Sequence, residues 1–225
     1  MPANPGNEFL VNSDYTTLNQ RTYVGGTTSG LFDSLGDGTR STRSIAMDAS
    51  GNFVVVWSSV GRDEPAFPLR WGIYAQRFDK SGTALGSSFL VNTIVQFDQV
   101  APSVAMNAAG DFAVTWSSFA GSFQNDTSGF GVYARFYSAD GTAKTTSEFR
   151  VNTEAVSGQF NSMVAMDADD DAAFANDGGY VISWTSQNQD GDGNGVFAQR
   201  YDKDGNKAGN EIAVNTAGGQ TLGAQ

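Results

Sequence analysis

Residues 51–59, GNFVVVWSS, reveal how this chain is built, because they return twice in nearly the same form. Residues 110–118 read GDFAVTWSS, and residues 179–186 read GYVISWTS. In the first copy, the run from Phe53 to Trp57 is β-branched or aromatic and apolar on both alternating faces, which is typical of a β-strand enclosed between stacked sheets. The tryptophans of successive copies are 59 and 68 residues apart, so the chain is built from repeats of about 60 residues.

Each copy of this strand is accompanied by three other recurring segments. The segments before it read SIAMD at 44–48, SVAMN at 103–107 and MVAMD at 163–167. The segments after it read GIYAQRFD at 72–79, GVYARF at 131–136 and GVFAQRYD at 195–202. The last segments read SFLVNT at 88–93, EFRVNT at 148–153 and EIAVNT at 211–216. Glycine-containing turns separate the segments, so each repeat is predicted to be a four-stranded antiparallel meander without a helix.

We therefore expect a single all-β domain over residues 1–225, built from three tandem four-stranded antiparallel repeats. The repeats span residues 44–93, 102–153 and 162–216, and a tail follows at 217–225. Such units in tandem are typical of β-propeller blades. Propellers close with about four to eight blades, so three blades predict self-association as a dimer or as an open head-to-tail assembly. A pseudo-threefold β-prism, which closes within one chain, is the alternative.

Residues 1–43 contain an orphan strand. Residues 8–13 read EFLVNS and match the last segment of each repeat, although no three strands precede them. The polar stretch at 13–43 is longer by about twenty residues than the linkers at 93–102 and 153–162. Because an unpaired strand edge is a hazard that proteins avoid, the orphan strand is either donated to another molecule or extends a sheet of its own chain.

The composition excludes several classes of function. The chain has no cysteine and no histidine, so zinc fingers, thiol nucleophiles and Ser-His-Asp triads are ruled out. A formal charge of −11 and an isoelectric point near 4.2 argue against a nucleic-acid partner and an anionic membrane surface. No apolar run is long enough for membrane insertion. The first residues lack the basic and apolar regions of a signal peptide.

The pattern at residues 8–12, 99–118, 131–136 and 148–153, with its counterparts in the other repeats, resembles the tandem repeats of very large secreted bacterial proteins. Those proteins carry hemolysin-type (RTX) calcium-binding segments and leave the cell by type I export. The resemblance implies an extracellular location without an N-terminal signal peptide, and a modular, adhesin-like role. The RTX nonapeptide GGxGxDxUx is absent, so its way of binding calcium is carried over to no residue here.

The loop NQDGDGNG at 188–195 is the best candidate for an ion site. Calcium takes oxygen ligands on a tight turn, and acids and amides alternating with glycine supply them on a loop that can curl. The candidate ligands are Asn188, Asp190, Asp192 and Asn194. We expect calcium here. A solvated turn is the alternative, because a distal glutamate is missing and the other repeats do not keep the pattern. The acidic insertion at 169–177 is a second candidate, with a solvated loop as its alternative.

The aromatic residues fall into two groups. Trp57, Trp116 and Trp184 recur once in each repeat and are expected in the core between sheets, because large rings fill such spaces. Stacking of these rings on sugars is the alternative. The aromatic residues of the loops do not recur and instead predict a ligand or partner surface. They are Phe67, Trp71, Phe119, Phe123 and Phe130.

Amide side chains recur beside the last segment of each repeat. One set is Asn12, Asn92, Asn152 and Asn215, and the other is Gln20, Gln99, Gln159 and Gln220. Short polar side chains at a strand end bond the local backbone. Both sets are therefore expected to have a structural role at the crossing between repeats.

The function expected from these observations is that of an extracellular structural or adhesive module, stabilised by calcium in its third repeat and assembling through its terminal strands. A carbohydrate-binding lectin, with a glycan site repeated between blades, is the alternative from a different class. A glycosidase or lyase is the third hypothesis. No pair of carboxylates stands out on adjacent strand ends, so the chain is expected not to be an enzyme.

Overall fold

The computed structural model describes residue 11 and residues 22–23, 43–60, 70–119, 129–168, 179–191 and 193–215. These residues form thirteen β-strands and no helix, and hence no helix that could cross a membrane occurs among them. The prediction of an all-β fold is confirmed.

The described strands form three antiparallel sheets, one for each repeat. The first sheet contains β1 (Thr22–Tyr23), β2 (Ile45–Met47), β3 (Phe53–Val60), β4 (Trp71–Phe78) and β5 (Phe89–Leu90). The second contains β6 (Gln99–Met106), β7 (Phe112–Phe119), β8 (Phe130–Tyr137) and β9 (Phe149–Arg150). The third contains β10 (Gln159–Met166), β11 (Tyr180–Gln187), β12 (Asn194–Tyr201) and β13 (Ile212–Ala213). The second and third sheets have their strands in chain order, which confirms the meander.

The tryptophan strand of each sheet forms a hairpin with the next strand, in the same register three times. The paired residues are Trp57 with Tyr74, Trp116 with Tyr133 and Trp184 with Phe197. The turn before this strand has a glycine at positive φ in the first two sheets, Gly51 at 88° and Gly110 at 95°, a conformation that strains other side chains. The shared register makes the residues of the three repeats equivalent position by position.

The first strand of the first sheet is divided into two pieces. β1 and β2 both pair with β3 and together take the place of the single strands β6 and β10. Those two strands have a β-bulge at the equivalent point, with Ala101 and Asn161 at positive φ. The chain between Tyr23 and Ser44 is therefore longer than the bulge of β6 or β10, which accounts for the extra length of the polar stretch before the first repeat.

Adjacent sheets pack face to face and share a core. The first junction buries Val54, Val56, Ile73, Ala75 and Val91 against Val104, Phe112, Val114, Trp116, Tyr133 and Tyr137. The second junction buries Ala105, Ala113, Val132, Ala134, Phe136 and Val151 against Val164, Tyr180, Ile182, Trp184, Phe197 and Tyr201. Among the described residues, no core cluster joins the first sheet to the third. The sheets thus stack in series as open blade-like units, and the serial packing differs from that of a closed prism.

The repeated tryptophans lie in the core, as predicted. Trp57, Trp116 and Trp184 are 1%, 0% and 2% exposed. Trp116 points toward the first sheet and Trp184 toward the second. Each sheet therefore has a tryptophan face, directed toward the start of the stack, and an opposite face that carries small aliphatic side chains.

The recurring amides have the structural role that was expected where they are described. Asn92, Asn152 and Asn215 accept hydrogen bonds from the backbone N–H groups of Ile73, Val132 and Val196. The fully buried amides of Gln99 and Gln159 donate to backbone carbonyls of the crossings at 94–97 and 156–157. The pairing of β1 places Thr22 at the position of Gln99, whereas Asn12, Gln20 and Gln220 lie outside the described residues.

Candidate functional site

The outer face of the third sheet carries half of the large apolar side chains that are exposed among the described residues. We define this face, which lies opposite Trp184, by Met163, Val181, Val196, Ile212 and Val214. These side chains are 38%, 42%, 41%, 44% and 58% exposed. A contiguous exposed apolar patch is a common mark of an interaction surface.

The burial pattern along the strands shows that the third sheet is covered on one face. All but the last residue of β7 are buried, and β3 is buried except at its two ends. In β11, buried residues alternate with exposed or half-buried ones. Because side chains alternate between the faces of a strand, neighbours enclose β3 and β7 on both faces but leave one face of β11 accessible.

Three positions of the outer face are fully buried in the other two sheets. Val181 is equivalent to Val54 and Ala113, Val196 to Ile73 and Val132, and Val214 to Val91 and Val151. The six equivalents in the first and second sheets are all 0% exposed. The outer face thus has the same kind of surface that the chain itself covers twice with a further sheet.

The opposite end of the stack is largely covered. Trp57, Tyr74 and Phe78 on the tryptophan face of the first sheet are 1%, 4% and 3% exposed, and Val11 packs against their cluster. In the matching segments, Val91 and Val151 pack on the tryptophan faces of the next sheets. Val11 of the orphan segment takes an equivalent role, while residues 8–10 and 12–13 lie outside the described residues.

Two carboxylates tie neighbouring sheets together at their last strands. Glu148 accepts hydrogen bonds from the backbone and the hydroxyl of Thr93, across the first junction. Glu211 does the same with Thr153 across the second junction, at 3.0 and 2.9 Å. This role was not predicted from the sequence, although the recurrence of glutamate and threonine at the two ends of the last segment was the signal for it.

The turns at one end of the sheets form a backbone ladder along the stack. The N–H of Ala49 donates to the carbonyl of Ala108 at 3.2 Å, and the N–H of Ala108 donates to the carbonyl of Ala168 at 2.8 Å. The three alanines occupy equivalent turns, so the sheets are held in one repeating relationship.

The candidate calcium loop forms a tight turn between β11 and β12. Asn188, Gly191 and Gly193 have positive φ, and the N–H of Gly191 donates to the carbonyl of Asn188 at 3.2 Å. A Cβ on Gly195 would lie 3.0 Å from Oδ2 of Asp190, so the lack of a side chain there leaves room for this carboxylate. Asn194 is exposed in β12, and Asp192 lies outside the described residues.

The acidic insertion at 169–177 also lies outside the described residues, except that Asp167 before it is an exposed turn residue. A cavity of about 280 Å³ opens beside Asp167 and Arg200 at one corner of the third sheet. Within the described ranges, no three or more acidic residues come close enough together to hold a metal ion. Calcium binding therefore stays a prediction.

The loop aromatics that are described, Trp71, Phe119 and Phe130, lie together but differ in exposure. Trp71 is 4% exposed and packs with Val100, Val60 and Phe130, so its ring belongs to the junction of the first two sheets. Phe119 is 42% exposed and meets Phe130 edge to face, with 5.2 Å between ring centroids. Phe67 and Phe123 lie outside the described residues.

The fold and the open sheet face define a protein of tandem blade-like β-repeats. No protein-family model and no curated protein matches the sequence. A protein of unknown function from Dyadobacter fermentans is similar in structure over 83% of this chain, with a TM-score of 0.52 and 14% identity. The chain spans 45% of the length of that protein. This likeness shows the fold and leaves the activity open.

Two further solved structures are less similar. An endo-arabinase from Bacteroides thetaiotaomicron matches 80% of this chain and 57% of its own, with a TM-score of 0.40 and 16% identity. TcdA4 of Morganella morganii matches 74% of this chain and 7% of its own, with a TM-score of 0.38 and 14% identity.

The comparison with the endo-arabinase corrects one expectation. The expectation that the chain is not an enzyme is wrong on this comparison, because one of the structures that the chain resembles is an enzyme. That inference rested on the lack of a conspicuous acidic pair in the sequence, but carboxylates that meet in a fold need not be near each other in the chain. The likeness is too low to carry an activity over to this chain.

Proposed function

We propose that this chain is an extracellular structural module with an adhesive role, in which the three sheets act as one rigid body. The observation that supports the proposal is the continuity of the core. Trp116 is buried by the first sheet and Trp184 by the second, so each sheet completes the core of its neighbour. A repeat that cannot bury its own apolar face depends on the repeats beside it.

The contacts across the junctions support the same role. Glutamate carboxylates and the alanine ladder join successive sheets at different places. The extracellular setting rests on the resemblance of the repeats to secreted RTX-type proteins, and we propose calcium at residues 188–195 as a further stabiliser of the third sheet.

Unfolding experiments test whether the stack is one body. We expect a single transition that coincides when followed by tryptophan fluorescence and by far-UV circular dichroism. Ala105→Asp places a charge where the residue is 3% exposed at the second junction and should split the transition by uncoupling the third sheet. The matched control Ala109→Asp, in an exposed turn, should keep a single transition. Separate transitions in the unaltered chain would contradict the proposal.

Carbohydrate binding is the second candidate, and one observation favours it. The exposed Phe119 and the half-buried Phe130 form an aromatic pair at the adjoining ends of β7 and β8, and an exposed ring of this kind can stack on sugars. A glycan array checks this candidate. Specific signals that Phe119→Ala removes and Leu85→Ala retains would support it, since Leu85 is a comparably exposed apolar residue at 40%. An array without signal would exclude the glycans tested.

A further inference from the structure

We propose that the outer face of the third sheet is a self-association surface, through which two copies of this chain pack face to face as a two-fold symmetric dimer of six sheets. The inference deepens the proposed structural role, on which it rests, by naming the surface and the partner.

Leaving the apolar outer face in water is unfavourable in free energy. Five of the ten large exposed apolar residues of the described part of the chain lie on it, although it belongs to one sheet of three. Scattered apolar residues need no explanation, but a group on one side of one sheet indicates contact with a partner.

The outer face of the third sheet is equivalent to the faces that form the two internal junctions. The chain covers equivalent positions twice, at Val54, Ile73 and Val91 in the first sheet and at Ala113, Val132 and Val151 in the second, and all six are 0% exposed. The residue equivalent to Arg200 also contacts the next sheet each time. Arg77 donates to the carbonyl of Ala139 at 2.6 Å, and Phe136 packs beside Gly205. The outer face is therefore shaped to receive another sheet.

The partner that fits the outer face is a second copy of this chain. A head-to-tail copy would need an accessible tryptophan face on the first sheet, but Trp57, Tyr74 and Phe78 are at most 4% exposed. Only Ile45 and Met47 are exposed on the described part of that face, at 53% and 60%. The outer face is the broad open apolar sheet face that a second copy also offers. Contact between the same face of two copies is isologous and closes at a dimer.

The area of the outer face indicates what kind of dimer interface it can form. Four strands about 4.8 Å apart, with the long strands eight residues at about 3.4 Å each, cover roughly 500 Å². Two copies thus bury roughly 1,000 Å² in total, at the lower limit for a specific interface. An interface of this size is typical of weak, transient association, so we expect a dimer that dissociates on dilution.

Solution mass, measured by light scattering over a hundredfold range of concentration, tests the association. The chain should approach about twice its mass of 23.8 kDa at the highest concentration and stay there. Val181→Asp and Val196→Asp should each weaken the dimer at least tenfold, because an unpaired charge on the face opposes its burial. The matched control Val156→Asp alters a valine that is 66% exposed away from the face and should leave the dimer unchanged.

Cross-linking tests the symmetry. The chain has no cysteine, so single cysteines at positions 181, 196 and 214 can be joined only between copies. A short bismaleimide should link at least one of these variants as a dimer, and the Val156→Cys control should stay uncoupled. In head-to-tail stacking the same residue does not meet itself, so no such variant would link and the mass would keep growing with concentration.

Three results would overturn the proposal: a monomer at every concentration, unchanged association in both aspartate variants, or growth beyond a dimer. The monomeric aspartate variants also separate this proposal from the structural role. If they still unfold in one transition, the rigid stack holds regardless of the dimer. If the unaltered chain is dimeric but unfolds in separate steps, the dimer holds and the rigid stack fails.

Discussion

The carboxylate of Glu148 lies 2.6 Å from the hydroxyl oxygen of Thr93, which ends the last segment of the preceding repeat. The same carboxylate accepts hydrogen bonds from the backbone N–H groups of Thr93 and Ile94. Glu148 is 4% exposed, so its charge is buried and stabilised by these donors rather than by water. One side chain thereby holds the second sheet to the end of the first.

Replacing Glu148 with alanine should lower the free energy of unfolding by about 1–3 kcal/mol, because three donors lose their acceptor. Denaturant titration measures this loss. Glu154→Ala is a suitable control, since the carboxylate of Glu154 bonds only the adjacent N–H groups of Ala155 and Val156 among the contacts described. An equal effect of the two substitutions would show that Glu148 does not join the sheets.

Trp116 and Trp184 occupy equivalent places but differ in one hydrogen bond. The indole N–H of Trp116 donates to Oε1 of the buried Gln99 at 3.1 Å. The corresponding oxygen of Gln159 accepts instead from Asn152 at 2.9 Å, and the indole N–H of Trp184 has no hydrogen-bond partner among the described residues. Both Trp→Phe variants leave a similar cavity, so we expect Trp116→Phe to be the more destabilising by about 1 kcal/mol. Equal losses in denaturant titrations would contradict this assignment.

The turn at Asp79 should contribute to the pH dependence of stability. The hydroxyl of Ser81 donates to the Asp79 carboxylate at 2.6 Å, and the N–H groups of Thr83 and Ser81 also donate to it. These bonds hold the pKa of Asp79 below its ordinary value of 3.8. Because folding lowers this pKa, the stabilisation is complete above pH 3.8 and is lost as the pH falls through the lower folded value.

Titration of the Asp79 carboxyl by NMR checks this pKa directly. The melting temperature of Asp79→Asn should fall less steeply than that of the unaltered chain below pH 3.8, because asparagine does not titrate. A carboxyl that titrates at or above 3.8 in the folded chain would refute the prediction.

The calcium hypothesis predicts a response to chelator. If calcium binds at residues 188–195, calcium at a hundred times its dissociation constant adds about 2.7 kcal/mol to stability. This corresponds to a rise of roughly 5–10 °C in melting temperature for a domain of this size. Asp190→Ala combined with Asp192→Ala should abolish the rise, whereas Asp204→Ala in an exposed turn should keep it. A melting temperature that chelator does not change would exclude the site.

Much of the fold was predictable because its signals are local and repeated. Three copies of an apolar strand containing tryptophan, each followed by glycine turns, predict three meanders whatever surrounds them. The burial of Trp116 and the structural role of Asn92 follow from the same recurrence. The bulge at Ala101 was not predictable, because a left-handed alanine leaves no mark in composition and is held by its neighbours. The division of the first strand around residues 24–44 was missed for the same reason.

The candidate site was less predictable than the fold. Loop aromatics such as Trp71 were expected at the surface because they do not recur, but a residue outside the repeat pattern can still pack at a junction. Val181 and Val196 looked like ordinary core residues, since their types match those of buried equivalents in the other repeats. No local signal distinguishes a valine that has a neighbouring sheet from one that lacks it.

The class of structure follows from the amino-acid sequence alone: an acidic chain without cysteine or histidine, folded as three equivalent antiparallel sheets with tryptophan in the core. Hydrophobic alternation and turn residues act within one repeat, and for this reason they can be read without coordinates. Only the tertiary structure decided which faces are covered, because burial depends on what lies across the junction. It is this packing that leaves Val181, Val196 and Val214 exposed while their equivalents are enclosed.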